Sequence, residues 1–337
     1  MYETFYQLSG MPFQLNPDPA FFYGGKEHSG AFSYMRYAVY QGEGFLVVTG
    51  DIGTGKTTLV RTLMEAIEPK VVVAVQLVST QLEADDLLRS VAAAFGLPAV
   101  NVDKAQLLAY IETYLTSLLV EKKRALLIVD EAQNLAPRAM EELRMLSNFQ
   151  YGNRALLQSF LVGQPELRAT LEAPKMQQLR QRVIASFHLR PLDLDGTRAY
   201  IQHRLRRVNW QQDPEFDPDI FPVIYEATNG VPRRINTFAN RLLLAAFLSE
   251  KHELGAADAI AVAQELHAEL GPGISLPSHE PLAMNGSAAA TPVSDAAMLA
   301  RLERIENVSK ATFDLLRSMV DPPPESSRRR TRPGKSN

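Results

Sequence analysis

Cysteine is absent from all 337 residues, which excludes disulfides and thiolate metal sites. A charge surplus of either sign is missing too. The formal net charge is -3, so composition argues neither for nor against a nucleic-acid partner. No apolar run approaches the roughly 20 residues that a membrane-spanning helix needs: those at 45–48, 71–75, 125–129 and 242–248 are all short. Residues 1–13 have neither a basic start nor a continuous apolar stretch, so they do not read as a secretory signal, and the expected location is the cytoplasm. What is there, 46% hydrophobic and 22% charged residues, is the balance of a folded globular chain.

Residues 1–44 are rich in aromatics and proline, and Pro12, Pro17 and Pro19 interrupt any long helix. This segment is expected to pack on the core. From 45 to 191, apolar strand-like runs alternate with segments of helical periodicity, the mark of an α/β fold with a parallel sheet covered on both faces. Residues 192–270 show helical patterns only, with no strand-like run, and predict an all-helical domain. Residues 271–294 read as a flexible linker. Residues 295–320 read as an amphipathic helix with Leu299, Leu302, Ile305, Val308, Leu315 and Met319 roughly on one face. Residues 321–337 form a basic tail, in which Arg328, Arg329, Arg330, Arg332 and Lys335 are offset by Glu325 within 322–337.

The chemistry concentrates in two places. Gly50, Asp51, Ile52, Gly53, Thr54, Gly55, Lys56 and Thr57 match the phosphate-loop pattern G-x-x-x-x-G-K-[ST] completely, after an apolar strand and before a helix. Glycines at 50, 53 and 55 let the backbone wrap closely around phosphate oxygens. Successive N–H groups then form an anion nest, backed by the positive end of the following helix, which also carries Thr58. Lys56 is expected on the β- and γ-phosphates of ATP and Thr57 on Mg²⁺. The second place is the apolar strand 125–129, which runs into Asp130 and Glu131 at the ligand-binding edge of a parallel sheet. Asp130 is the expected Mg²⁺ partner, and Glu131 the group that orients and deprotonates the attacking water. Phosphoryl transfer also needs positive charge at the γ-phosphate, and Arg180, Arg182 and Arg233 are the candidates.

This order of motifs resembles the AAA+ superfamily: a phosphate loop, a strand ending in Asp130-Glu131, a strand ending at Gly163-Gln164, then 179–183 and a helical segment carrying 230–236. The resemblance implies a P-loop NTPase sheet with a C-terminal helical lid. It puts Arg233 on the nucleotide as sensor 2 and Gln164 at the sensor 1 position. Arg180 and Arg182 become arginine fingers acting on the next subunit, with Arg182 preferred. The opening 1–8, Pro12-Phe13, 16–19 and Phe21-Phe22, with the box Asp130-Glu131-Ala132-Gln133, resemble the general secretion pathway protein A group of ATPases over residues 1 to about 270. Within that group the match is to the ATPases of exosortase/PEP-CTERM systems and exopolysaccharide loci. The resemblance implies a Mg²⁺-dependent ATPase with ATP/ADP as ligand, working as a homo-oligomeric ring or filament. Its partner is then a protein of an envelope export or polysaccharide system. Tyr23, His28 and the stretch around Phe45 are candidates to hold adenine, while the aromatics at 2, 5, 6, 13, 21 and 22 read mostly as packing. The competing reading is a DNA-associated, ATP-dependent switch resembling transposition regulators. Only the arginines of the tail speak for it, and such runs are usually solvated.

Overall fold

A computed structural model describes residues 1–78 and 82–270, so the linker, amphipathic helix and basic tail expected at 271–337 lie outside the described residues. The centre is a parallel sheet of β1 (Phe45–Gly50), β2 (Val72–Val78), β3 (Arg124–Asp130), β4 (Leu157–Gly163) and β5 (Val183–Leu189). Its order is β2-β3-β4-β1-β5. Every residue of β1 and β4 is buried, because these central strands have helices on both sides. That is why β1 reads as a near-continuous apolar run rather than as alternation, while β4 keeps Gln158 and Ser159 buried within its apolar run.

The period of two along a strand sorts side chains between two layers. Leu46, Val48, Leu126, Ile128, Phe160 and Val162 face one layer, built on α1 (Lys26–Gln41) and α2 (Lys56–Ala66). Phe45, Val47, Leu127, Val129, Leu157 and Leu161 face the other. That layer is built on α3 (Ala84–Ala94), α4 (Lys104–Val120) and α5 (Pro137–Leu146). The edge strand β5 alternates instead. Its Ala185 and Phe187 pack on the α1 side, while Ile184, Ser186 and His188 are exposed.

After β5 the chain is mainly helical: α6 (Leu194–Arg206), α7 (Ile220–Thr228), α8 (Pro232–Leu248) and α9 (Ala256–Leu270) enclose a separate apolar cluster. One departure from the expected all-helical pattern is the short pairing of Glu215–Phe216 with Glu253–Leu254. Within the N-terminal segment, α1 packs on the sheet, whereas the first residues pack elsewhere. Tyr2, Tyr6, Leu8 and Phe13 are buried in the helical cluster, not against the sheet. The tyrosine hydroxyls explain part of this choice, since buried phenols need acceptors: Tyr2 donates to Asn240 Oδ1 (2.7 Å) and Tyr6 to the Lys251 carbonyl (2.8 Å).

The join between sheet and helices is tight. The Leu192 N–H donates to the Gly230 carbonyl at 2.9 Å. Asp193 caps α6 through the Gly196 N–H at 2.7 Å. Among the described residues no helix is long and apolar enough to cross a membrane.

Candidate functional site

The loop after β1 turns back on itself before α2 begins. Gly55 at φ +97° makes that reversal, a conformation that costs a side-chain-bearing residue about 1–2 kcal/mol. Thr54 is fully buried and closes the turn through its hydroxyl onto the Asp51 carbonyl (2.8 Å). From α1, His28 lies against the loop and its Nε2–H donates to the Thr54 carbonyl at 2.8 Å. Burial pushes the His28 imidazole below its ordinary range, so the neutral ring is favoured. Lys56 is buried, and its ammonium donates to the carbonyls of Gly50 (2.7 Å) and Asp51 (3.0 Å). Desolvation lowers its pKa, opposed by the nearby charges of Glu131 and Asp130.

Asp130 ends β3 beside this loop. Its Oδ2 accepts from the Thr57 hydroxyl at 3.1 Å and from the Gln76 amide at 3.3 Å, and its Oδ1 from the Glu131 N–H at 3.0 Å. Burial nonetheless raises the carboxyl above its ordinary range, because three polar donors do not replace the lost hydration. Thr57 and Asp130 are hard oxygen donors side by side. Among the described residues no cluster of three or more His, Cys, Asp or Glu could enclose a metal. This donor set fits a magnesium ion that takes the rest of its shell from phosphate and water.

Glu131 sits at φ +54°, in the left-handed region. For a residue with a side chain this costs of order 1–2 kcal/mol and persists only when neighbours enforce it. They do so here: Glu131 Oε2 accepts from the Gln133 amide at 2.6 Å and from the Gln164 amide at 3.3 Å. Gln164 reaches this point from the end of β4, the strand between β1 and β3. Strand order therefore brings the three strand ends into one place.

Beside the loop lies a cavity of about 260 Å³, lined also by Asn16, Phe22, Tyr23, Tyr200, Arg204 and Asn236. Arg233, near the start of α8, rests on the phosphate loop, its N–H donating to the Gly53 carbonyl at 3.1 Å. The N-terminal segment is pinned across the opening. The Pro17 carbonyl accepts from Arg61 (2.7 Å), and that of Gln14 accepts from Arg204 and Asn236 (both 3.4 Å). Arg204 is 4% exposed and lies over the rings of Phe21 and Tyr200 at 4.9 and 5.5 Å.

Lys56, Thr57, Glu131, Gln164 and Arg233 line this cavity, and Asp130 adjoins it through its bond from Thr57. Tyr23 lines the cavity, but the stretch around Phe45 does not. Phe45 is 0% exposed within the core, because every residue of a central strand is covered. His28 borders the cavity while its Nε2 is spent on the loop carbonyl. Arg180 and Arg182 lie elsewhere. Arg180 is exposed and donates to the carbonyls of Leu171 (3.3 Å) and Glu172 (3.0 Å). Arg182 is half-buried, donating to the Ser147 carbonyl (2.9 Å), the Ser147 hydroxyl (3.0 Å) and Asn148 Oδ1. Sequence reasoning missed Gln76, Tyr200, Arg204 and Asn236, whose roles depend on contacts far along the chain. It also left Gln133 without a role.

A parallel sheet in this order, with a phosphate loop after β1 and paired carboxylates after β3, defines a P-loop nucleotide-binding protein of the AAA class. Residues 39–171 match the family described as AAA domain. The chain is an AAA relative of general secretion pathway protein A: the Aeromonas hydrophila protein is 36% identical over 267 residues. That match covers 79% of this chain and 48% of the relative, so the chain spans about half the relative's length. Two solved structures share the fold at low identity. The Aeropyrum pernix ORC2 protein in its ADPNP-ADP complexes has a TM-score of 0.56 and 16% identity, covering 71% of this chain and 67% of that one. Cdc6p from Pyrobaculum aerophilum has a TM-score of 0.57 and 17% identity, covering 74% and 70%.

Proposed function

We propose that this chain binds ATP with a magnesium ion, hydrolyses it in the cytoplasm as part of a homo-oligomer, and uses the cycle to remodel or regulate a protein of an envelope export or exosortase-type polysaccharide system. One observation carries the chemical part: Lys56, Thr57, Asp130 and Glu131 converge at the carboxyl ends of β1 and β3. The loop N–H groups and the start of α2 receive the phosphates, and the Lys56 ammonium turns from the loop carbonyls to the β- and γ-oxygens. Thr57 and Asp130 would hold the magnesium ion, which when bound would supply positive charge at the phosphates. Glu131 takes a proton from water as the water oxygen bonds to the γ-phosphorus and the bond to ADP breaks, giving ADP and phosphate.

Residues 192–270 act as the lid in this reading, with Arg233 carrying the state of the γ-phosphate to α8, and residues 14–23 form a strap over the base. Of the two candidate fingers, Arg180 is the better. Arg180 is exposed and held only through one nitrogen on two carbonyls, whereas three hydrogen bonds from two nitrogens tie the half-buried Arg182 to the end of α5. The choice of export partner rests on the likeness to general secretion pathway protein A and on the N-terminal motif.

The test is ATP hydrolysis against protein concentration, for wild type and Glu131→Gln, with and without DNA. Specific activity that climbs with concentration and vanishes in Glu131→Gln supports the reading. A low rate indifferent to Glu131 refutes the hydrolytic part, and salt-dependent stimulation by DNA replaces the export partner with a nucleic-acid one.

A further inference from the structure

The Gln133 side chain makes two hydrogen bonds in opposite senses. Its Oε1 accepts from the backbone N–H of Gln164 at 3.0 Å, and its Nε2 donates to Glu131 Oε2 at 2.6 Å. The backbone N–H can only donate, so it fixes which end of the amide is oxygen and leaves the NH₂ to face the carboxylate. Room for this arrangement comes from Gly163. A Cβ there would stand 2.5 Å from Gln133 Oε1, and the same residue lies next to Gln164 at the end of β4. The second amide on Glu131 is that of Gln164, again at Oε2 (3.3 Å). Both donors therefore hold one oxygen of the carboxylate, and Oε1 accepts no hydrogen bond from the described residues.

We propose that Gln133 is a positioning residue for hydrolysis. It locks the Glu131 carboxylate so that Oε1 faces the water, and it couples that orientation to the end of β4, where Gln164 projects. The left-handed φ of +54° at Glu131 is the second observation behind this. A strained backbone on a three-residue turn does not by itself aim a flexible side chain, so an external clamp is required, and Gln133 is the closer of the two donors. When the end of β4 moves, the backbone N–H of Gln164 carries Gln133 with it, and the base leaves its line of attack. The inference rests on the hydrolytic reading above.

The experiment measures kcat, KM and nucleotide Kd for wild type, Glu131→Gln, Gln133→Met, Gln133→Ala, Gln133→Asn and Gly163→Ala. Met keeps the volume of Gln without its hydrogen bonds. If Gln133 aims the base, Gln133→Met and Gln133→Ala lose kcat alike, by about ten- to a hundredfold, the scale on which misplacing a reacting group costs rate. Kd stays within about twofold of wild type, because no phosphate contact is removed. Gln133→Asn recovers part of the rate, and Gly163→Ala, which displaces the amide without altering it, reproduces part of the loss. Full kcat in Gln133→Met overturns the proposal, since a residue that merely fills space is replaced by its isostere. A loss confined to KM and Kd overturns it too. If wild type and Glu131→Gln hydrolyse ATP equally poorly, the hydrolytic reading itself falls, and the role of Gln133 with it.

Discussion

Gly230 stands at φ +65° with its backbone so close to the join between sheet and helices that an added Cβ would lie 1.8 Å from the Leu192 carbonyl oxygen. Gly230→Ala therefore combines three costs. The left-handed backbone costs alanine about 1 kcal/mol. The overlap forces a shift that breaks the bond from the Leu192 N–H to the Gly230 carbonyl, about 1 kcal/mol. Moving packed backbone to make room adds about 1–3 kcal/mol. The total, about 3–5 kcal/mol, is a large part of the roughly 5–15 kcal/mol that holds a typical domain together. Function suffers as well, because Arg233 follows three residues later and its N–H bonds the phosphate loop at Gly53. Gly152→Ala separates backbone strain from overlap. It has φ +61° with nothing within 4 Å of the added Cβ, and is expected to cost only about 1 kcal/mol. Urea unfolding of both variants gives the stability difference, and titration with a fluorescent ATP analogue gives affinity, expected to fall at least tenfold for Gly230→Ala alone. If the two variants unfold within about 1 kcal/mol of each other, the close approach of Gly230 to Leu192 is not what seats the helices.

Lys56→Met removes an ammonium that is buried with only carbonyl acceptors. Nucleotide-free stability should hold or rise, while ATP affinity falls about a hundredfold, or about 2.7 kcal/mol; calorimetric titration and urea midpoints report the two, and an equal loss in both would contradict the assignment. His28 supplies a pH dependence with a definite sign. Its folded pKa lies below the ordinary value of 6.5, so its contribution is complete above about 6.5 and is lost as pH falls through the lower folded value, by up to about 1.4 kcal/mol per unit. Urea midpoints of wild type and His28→Gln between about pH 7.5 and 5.5 check this: the variant keeps a donor for the Thr54 carbonyl and should show the shallower acid limb, and parallel curves would refute it.

The phosphate loop, the strand runs and the paired carboxylates were legible in the chain alone. Each of these is a local property: closely spaced glycines at 50, 53 and 55 that a phosphate loop requires, short apolar runs that a buried strand needs, and acids at the residue where that strand stops. Gln164 entered only through the resemblance of the motif order, and the same resemblance singled out Arg233, since neither lies in a local pattern that names its chemistry. Packing, by contrast, chose which side chains meet across long separations. The fixing of residues 1–13 on the helical cluster rests on contacts such as Tyr6 with Lys251. The pinning of Gln14 needs Arg204 and Asn236. The placement of Phe45 within the core followed from β1 being central, which strand order alone settles. Arg182, preferred as a finger by resemblance, is held by the residues at the end of α5. Gln133 belongs to a visible motif and bonds Glu131 locally, but its bond from Gln164 exists only because β4 lies between β1 and β3. A hydrogen bond between residues as far apart as Gln133 and Gln164 is set by packing, and no period or spacing in the chain records it.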